Sequence, residues 1–436
     1  MKKVLIITYY WPPSGGAGVQ RWLRFVKNLR NFGWEPIVYT TENPIYASYD
    51  ENLISEIPQK IQTFKHRIKE PNNFLGNLFF WKKSKNSIIY QNQQQKGEKR
   101  SITQKLLWFI RGNFFIPDSR FLWIKPSVKY LSNVLSENKY DLIISTGPPH
   151  SLHLIGKALN LKFKIPWIAD FRDPWTSMDY LQEMFLTKFA WNKHKRFEKS
   201  VIESANEIIV VGQTMFNEFK EKYDKNSVII YNGYNELPKE IPSNGLDEKF
   251  TIVHVGSFLK KRNCDDLWEV LFELTKDNKS FSENLEIKLV GGIAPDVIES
   301  IKRYKLDVCL NKIDYVPYQK TLVILNSAQV LLLPIDRISN AEFVLTGKLF
   351  EYLKAKRPIL NIGPTNGDAA EIIKNCNAGY CCSFNDKEQI KRSVLEMYEL
   401  FLQGKNIINS INVEQYSSYE LTKQLAQLFN KTIQIA

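Results

Sequence analysis

Short apolar runs alternate along the chain with stretches whose apolar positions recur every three or four residues. The runs at 4–8, 37–40, 142–145, 167–170 and 207–211 are β-rich and continuous, the pattern of strands buried on both faces, and 228–231 reads as a further strand. Between them, 18–32, 126–138, 150–161 and 184–205 carry the helical period. That alternation predicts a doubly wound parallel sheet. A polar interval with Pro and Gly follows at 236–249 and reads as a linker. The alternation then restarts: strands at 250–255, 285–290, 312–316, 329–333 and 358–361, and a short strand near Tyr380. Helices are predicted at 264–276, 294–305, 319–327, 346–356, 368–375 and 386–402, and a last amphipathic helix at 420–430. The expected organisation is an α/β chain with two Rossmann-like domains, 1–238 and 239–415, and a C-terminal segment 416–436 crossing back to the first. Open parallel sheets bind ligands at the carboxyl ends of their strands, so two in tandem predict two substrates facing a central cleft.

Length and composition fit this picture. The chain has 436 residues, 44% of them apolar, which suits two or three domains with real cores. Its net charge of +13 is unevenly placed. Residues 1–240 hold 35 basic and 22 acidic side chains, whereas 241–436 hold 24 of each. Within 60–130 there are 15 basic and 3 acidic residues. Aromatics interleave with that charge: Phe79, Phe80 and Trp81 beside Lys82, Lys83 and Lys85, then Trp108, Phe109, Phe114, Phe115, Phe121 and Trp123. Such a mixture suits a surface lying on anionic lipid headgroups; a solvated insertion whose aromatics pack on the core is the plainer alternative. No nucleic-acid module accompanies the charge, so no nucleic-acid partner is expected. The interval 84–100, Gln-rich at 91–95, reads as a low-complexity loop. No apolar run approaches the ~18 residues of a spanning helix, and the N-terminal apolar stretch at 4–7 reads as a first strand rather than a leader. The five cysteines lie in the second half without a Cys-x-x-Cys pair, a reduced, cytoplasmic pattern with no metal site expected.

Candidate chemistry sits in the loops after strands. Gly15, Gly16 and Gly18 follow the first strand and allow close backbone approach to a ligand, although a tight turn alone also explains them. His150 ends the Ser-Thr-Gly-Pro-Pro-His loop after the 142–145 strand, where a side chain can enter a cleft; His153, inside the next helix, is expected to pack. Asp170, Arg172 and Asp173 crowd the end of another buried strand, where charges need a ligand or an internal Asp–Arg pair. Tyr231-Asn-Gly-Tyr234 is a turn at the hinge. In the second half, Gly256 ends a strand and Lys260, Lys261 and Arg262 follow, able to neutralise a diphosphate. Thr346-Gly347-Lys348 opens a helix whose N-terminus suits a phosphate, and Glu351, one turn on, can accept from a ribose hydroxyl pair.

Taken in order, these loops resemble the retaining sugar-nucleotide glycosyltransferases of family 4, with the GT-B fold of two Rossmann-like domains. Val255-Gly256-Ser257, with Arg262 further on, resembles the family's Val-Gly-Arg and later Lys, with Ser257 in place of the Arg. Glu351 matches the second of the family's two glutamates; the first falls on Phe343, with Glu342 one residue before. Ala355-Lys356-Arg357-Pro358 resembles Ala-Gly-Lys-Pro, and Gly367-Asp-Ala-Ala-Glu-Ile and Ala378-Gly379 also look like the family. The resemblance implies His150, Arg262, Lys348 and Glu351 around the reacting atoms. It implies donor binding by Gly256, Ser257, Lys261, Arg262, Thr346, Gly347, Lys348 and Glu351. Acceptor binding falls to Gly15, Gly16, Gly18, His150, Asp170, Arg172 and Asp173. The implied reaction moves a sugar from a UDP-, GDP- or similar sugar to a glycan or lipid-linked hydroxyl with retention, without metal or cofactor, in envelope polysaccharide synthesis at the cytoplasmic membrane face. A sugar-nucleotide epimerase of the same fold and a degenerate glycan- or membrane-binding protein are the alternatives.

Overall fold

The computed structural model describes residues 1–69, 102–178, 181, 183–235, 245–405 and 408–435. Phe79, Phe80, Trp81, Lys82, Lys83 and Lys85, the interval 84–100 and linker positions 236–244 lie outside the described residues. The chain divides into two units, Met1–Asn232 with Ser418–Ala436, and Gly233–Ser417.

The first unit holds a seven-stranded parallel sheet, ordered β3-β2-β1-β4-β5-β6-β7. The strands are β1 Lys2–Ile7, β2 Trp34–Thr41, β3 Thr63–His66, β4 Leu142–Gly147, β5 Trp167–Phe171, β6 Glu207–Val210 and β7 Val228–Ile229. The central β4 and β5 are buried at every position, which explains their unbroken apolar runs. The edge strand β3 is half-buried with no apolar run of its own, so periodicity alone does not mark it. Helices Ile102–Phe114 and Gln213–Tyr223 likewise go beyond the sequence reading. Helix Ala17–Asn28 is shorter than the 18–32 expected: a 3-10 turn, Leu29–Phe32, follows and Gly33 closes it at φ 79°. The core joins Val4, Ile6, Trp22, Leu142, Ile144 and Ile168. Leu421, Leu425 and Phe429 of helix Ser418–Ile435, one turn apart, complete it.

The second unit has a six-stranded parallel sheet ordered β10-β9-β8-β11-β12-β13. Its strands are β8 Phe250–Val255, β9 Leu285–Val290, β10 Leu310–Ile313, β11 Val330–Pro334, β12 Ile359–Ile362 and β13 Gly379–Cys382. In each sheet the strand order reverses beside the first strand, between β1 and β4 and between β8 and β11. In open sheets of this kind the loops at such a reversal diverge, and ligands bind in the crevice outside the strand carboxyl ends.

Candidate active site

In the second unit the reversal brings five predicted donor residues together. Gly256 ends β8 at φ 95°, a conformation L side chains rarely adopt. A Cβ there would lie 2.7 Å from Lys348 Cε, so the lysine stem runs directly over the glycine. Lys348 enters from helix Gly347–Ala355 and donates to the Ser257 carbonyl at 2.9 Å. Its Nζ also meets His254 Nε2 at 3.1 Å. Arg262 reaches the same Ser257 carbonyl at 3.2 Å. Asp336, just past β11, pairs with Lys261 at 2.5 Å and with Arg262 Nε. Burial disfavours the charged Asp336, yet Arg262 and Lys261 outweigh it and hold its pKa below the usual value.

The electrostatics concentrate on Lys348. Burial, then the Arg262 charge, lower its pKa to about 7, with Asp336 opposing. His254 is fully buried and its pKa lies well below the ordinary imidazole value, through burial first and Lys348 second. Its Nδ1 faces the Leu332 carbonyl at 3.0 Å, which assigns the proton there and leaves Nε2 to accept from the lysine. One carboxylate against two fixed guanidinium and ammonium groups, plus Lys348, leaves positive charge in excess at a helix N-terminus. That is the environment a diphosphate needs.

Glu351 lies one turn along the same helix and accepts from Tyr318 at 3.0 Å. The helix leaves Gly347 facing open space, with nothing within 4 Å of a Cβ. Thr346, its N-cap residue, makes no side-chain cap bond, and its hydroxyl is buried without a partner. Lys260 points elsewhere and pairs with Asp296 at 2.5 Å. It lines a surface cavity of about 650 Å³ in which Arg303 pairs with Asp265 at 2.5 Å and Arg337 with Asp266 at 3.2 Å.

The first unit corrects two expectations. Asp170 is not open to an acceptor. It is fully buried and takes Arg21 Nη2 at 2.9 Å, Trp22 Nε1 at 2.8 Å and Thr146 Oγ1 at 2.8 Å. Burial opposes its charge, but Arg21 overrides that and keeps its pKa low. The internal Asp–Arg pair therefore exists, made by Arg21 rather than Arg172. His150 does not project into open space either. It is 2% exposed and stacks on Trp175 at 4.7 Å, because the aromatic ring gains more from that packing than from solvent. His153 packs beside it and bonds Ser145 Oγ at 2.9 Å.

Arg172 instead ties the strand-end loops together. It donates to Gly18 O at 2.9 Å and to Pro148 O, while its own N–H reaches Gly147 O at 2.9 Å. Its guanidinium lies 5.3 Å from the Tyr10 ring centroid. Gly18 is close-packed here: a Cβ would sit 3.2 Å from both Arg172 Nη1 and Tyr10. Gly15 lies against the segment at 48–50, its N–H bonded to Ser48 O at 2.9 Å. Burial raises the pKa of Asp173, beside Arg172, which lowers it. Among the described residues, no group of His, Cys, Asp and Glu has the geometry of a metal site.

Sequence reasoning passed over His254, Asp336 and Tyr318. Two left a signal: His254 interrupts the Val253–Val255 apolar run, and Asp336 follows the apolar run 330–335 just past a strand end.

Residues 92–236 match the family model described as Glycosyltransferase Family 4. Over that span the chain is similar to that family. Among solved structures, sucrose-phosphate synthase from Thermosynechococcus elongatus is similar over 100% of both chains, at 13% identity and a TM-score of 0.59. HepE of Anabaena, in complex with UDP-glucose, covers 99% of this chain and 100% of its own at 13% identity and 0.59. WaaG, a glycosyltransferase involved in lipopolysaccharide biosynthesis, covers 99% of each at 15% identity and 0.54. No curated protein sequence matches. At these identities the structures establish the fold, GT-B, with two Rossmann-like units. The chain thus has the fold of these proteins, and its residues 92–236 are similar to glycosyltransferase family 4.

Proposed function

We propose that this glycosyltransferase moves a sugar from a nucleoside-diphosphate sugar to a glycan or lipid-linked hydroxyl, with retention and without a metal, in envelope polysaccharide synthesis. The carrying observation is the meeting of Lys348, Gly256, Ser257 and Arg262 at the end of β8. When the bond from the sugar to the diphosphate breaks, negative charge grows on the departing oxygen. Lys348, Arg262 and the open N-terminus at Gly347 are preplaced for that charge, the role a metal ion would otherwise fill. Glu351 accepts the ribose hydroxyls. In the first unit, the loops joined by Arg172 bind the acceptor. Structures with 12% and 14% identity that contain UDP support the donor class. The basic, aromatic composition of 60–130 supports a peripheral place at an anionic membrane face.

Melting temperature tests the donor site, because a ligand bound only by the folded state raises it by mass action. UDP, GDP, ADP, CMP and their sugars are compared with and without EDTA, on wild type and Glu351→Ala. A selective, EDTA-insensitive rise lost in Glu351→Ala is expected. No rise with any nucleotide would sink the transferase reading.

A further inference from the structure

Helix Ile102–Phe114 turns Trp108 and Gly112 inward. A Cβ on Gly112 would fall 2.6 Å from Leu186 Cδ2 and 2.7 Å from Met184 Cβ, so helix and segment are in tight contact. The opposite face carries Ile102, Leu106 and Phe109, spaced four and three residues apart and 87%, 51% and 36% exposed. Asn113 continues that face. Its Oδ1 accepts the Thr187 N–H at 2.7 Å and its Nδ2 donates to Phe185 O at 3.2 Å. This clamp sets Phe185 and Phe189, 50% and 74% exposed, beside the helix. Five large apolar side chains thus share one outward surface, more than isolated exposure explains.

Charge decides what covers it. Lys105 stands on the same helix face, and Lys188, Lys193, Lys195 and Arg196 follow Phe185. Neither 102–114 nor 184–197 contains an acidic residue. Lys195 lies 5.4 Å from the Trp191 ring and Lys193 5.8 Å from that of Phe197, cations on aromatic stems. Hydrocarbon tips ringed by ammonium groups match an acyl boundary beneath anionic headgroups. We propose that this surface, formed by helix Ile102–Phe114 and residues 185–189, docks on an anionic lipid bilayer; this rests on the membrane reading above and places its contact. The same helix that starts at Lys188 carries His194, which accepts from Trp175 at 3.1 Å, and Trp175 stacks on His150. The docking surface and the acceptor-side loops are therefore parts of one packed body, and a lipid-linked acceptor arrives where the protein meets its bilayer.

The full chain is floated with vesicles of phosphatidylcholine alone and with added phosphatidylglycerol. Variants are Phe109→Ser/Phe189→Ser and Lys188→Glu/Lys193→Glu, three exposed positions and the half-buried Lys193, all outside the nucleotide site. Wild type should float with anionic vesicles only, and release at about 1 M salt, where the Debye length is about 3 Å. Each variant should lose binding by about tenfold or more, since apolar tips and basic side chains both hold the surface to anionic lipid. Its nucleotide-dependent melting shift should be unchanged. Variants that float like wild type overturn this surface while leaving a membrane role elsewhere intact. Wild type that floats with neither vesicle overturns both, and the nucleotide shift then judges the transferase reading separately. Binding to both vesicles that ignores salt overturns the charge argument and with it the anionic bilayer.

Discussion

Lys348 Nζ lies 3.1 Å from His254 Nε2, and the imidazole offers a lone pair because its Nδ1–H is committed to the Leu332 carbonyl at 3.0 Å. A neutral partner aims the ammonium without cancelling its charge, as a carboxylate would. Replacing His254 by Leu should leave the unit folded and weaken nucleoside-diphosphate binding by about tenfold to a hundredfold, the worth of one hydrogen bond to a charged group. His254→Gln, with a side-chain acceptor, should recover part of it. Isothermal titration on the three proteins checks this; equal affinities would remove His254 from the site.

The lowered pKa of Lys348, about 7, sets a pH dependence. In the free protein the lysine loses its proton as pH rises through that value. A bound diphosphate restores the proton, so binding at pH near 8 should take one up and weaken as pH climbs. Titration in two buffers of different ionisation heat counts the proton. For stability the sign is the reverse of a salt bridge: the unfolded lysine binds more protons between about 7 and its ordinary value of 10.5, so this group adds stability as pH rises across that window.

Two glycines of the donor site should respond differently. Gly256→Ala places a Cβ 2.7 Å from Lys348 Cε at φ 95° and should lower both the melting temperature and nucleotide affinity. Gly347→Ala meets nothing within 4 Å and favours the helix, which should hold or raise stability by about 0.4–1 kcal/mol. If a diphosphate sits on that helix N-terminus, Gly347→Ala should nonetheless lose the nucleotide-dependent shift. A stable variant that still binds normally would place the diphosphate elsewhere.

The Arg21–Asp170 pair holds helix Ala17–Asn28 to the sheet, and Arg21 also bonds the Ile230 and Tyr231 carbonyls at 2.8 Å. Asp170→Ala leaves a buried guanidinium uncompensated and should cost about 3–5 kcal/mol. Because the folded pKa lies below the ordinary 3.8 of an aspartate, the pair's contribution is full above that pH and fades as pH falls through the folded value. Urea unfolding at neutral pH and near pH 3 measures both effects. A loss under about 1 kcal/mol would mean that Arg21 is satisfied by the carbonyls alone.

The two-sheet fold was legible because the central strands are buried on both faces and so carry unbroken apolar runs, as in β4 and β11. Gly256 and Lys348 could be read because each stands at a strand end or helix start. His254 left only its break in the Val253–Val255 run, since its role depends on Lys348, 94 residues away, which no local pattern encodes. The same limit applies to Asp170: sequence places a charge at the end of a buried strand, and only the fold shows that Arg21, 149 residues distant, already answers it.

The first unit takes part of its core from the last residues of the chain: Leu421, Leu425, Ala426, Leu428 and Phe429 pack among residues of β1, β2 and β4. During synthesis the second unit, Gly233–Ser417, is therefore whole before the first is. The domain that starts the chain must wait on the ribosome with an open apolar seam until the final helix emerges, which inverts the usual order in which nascent domains mature.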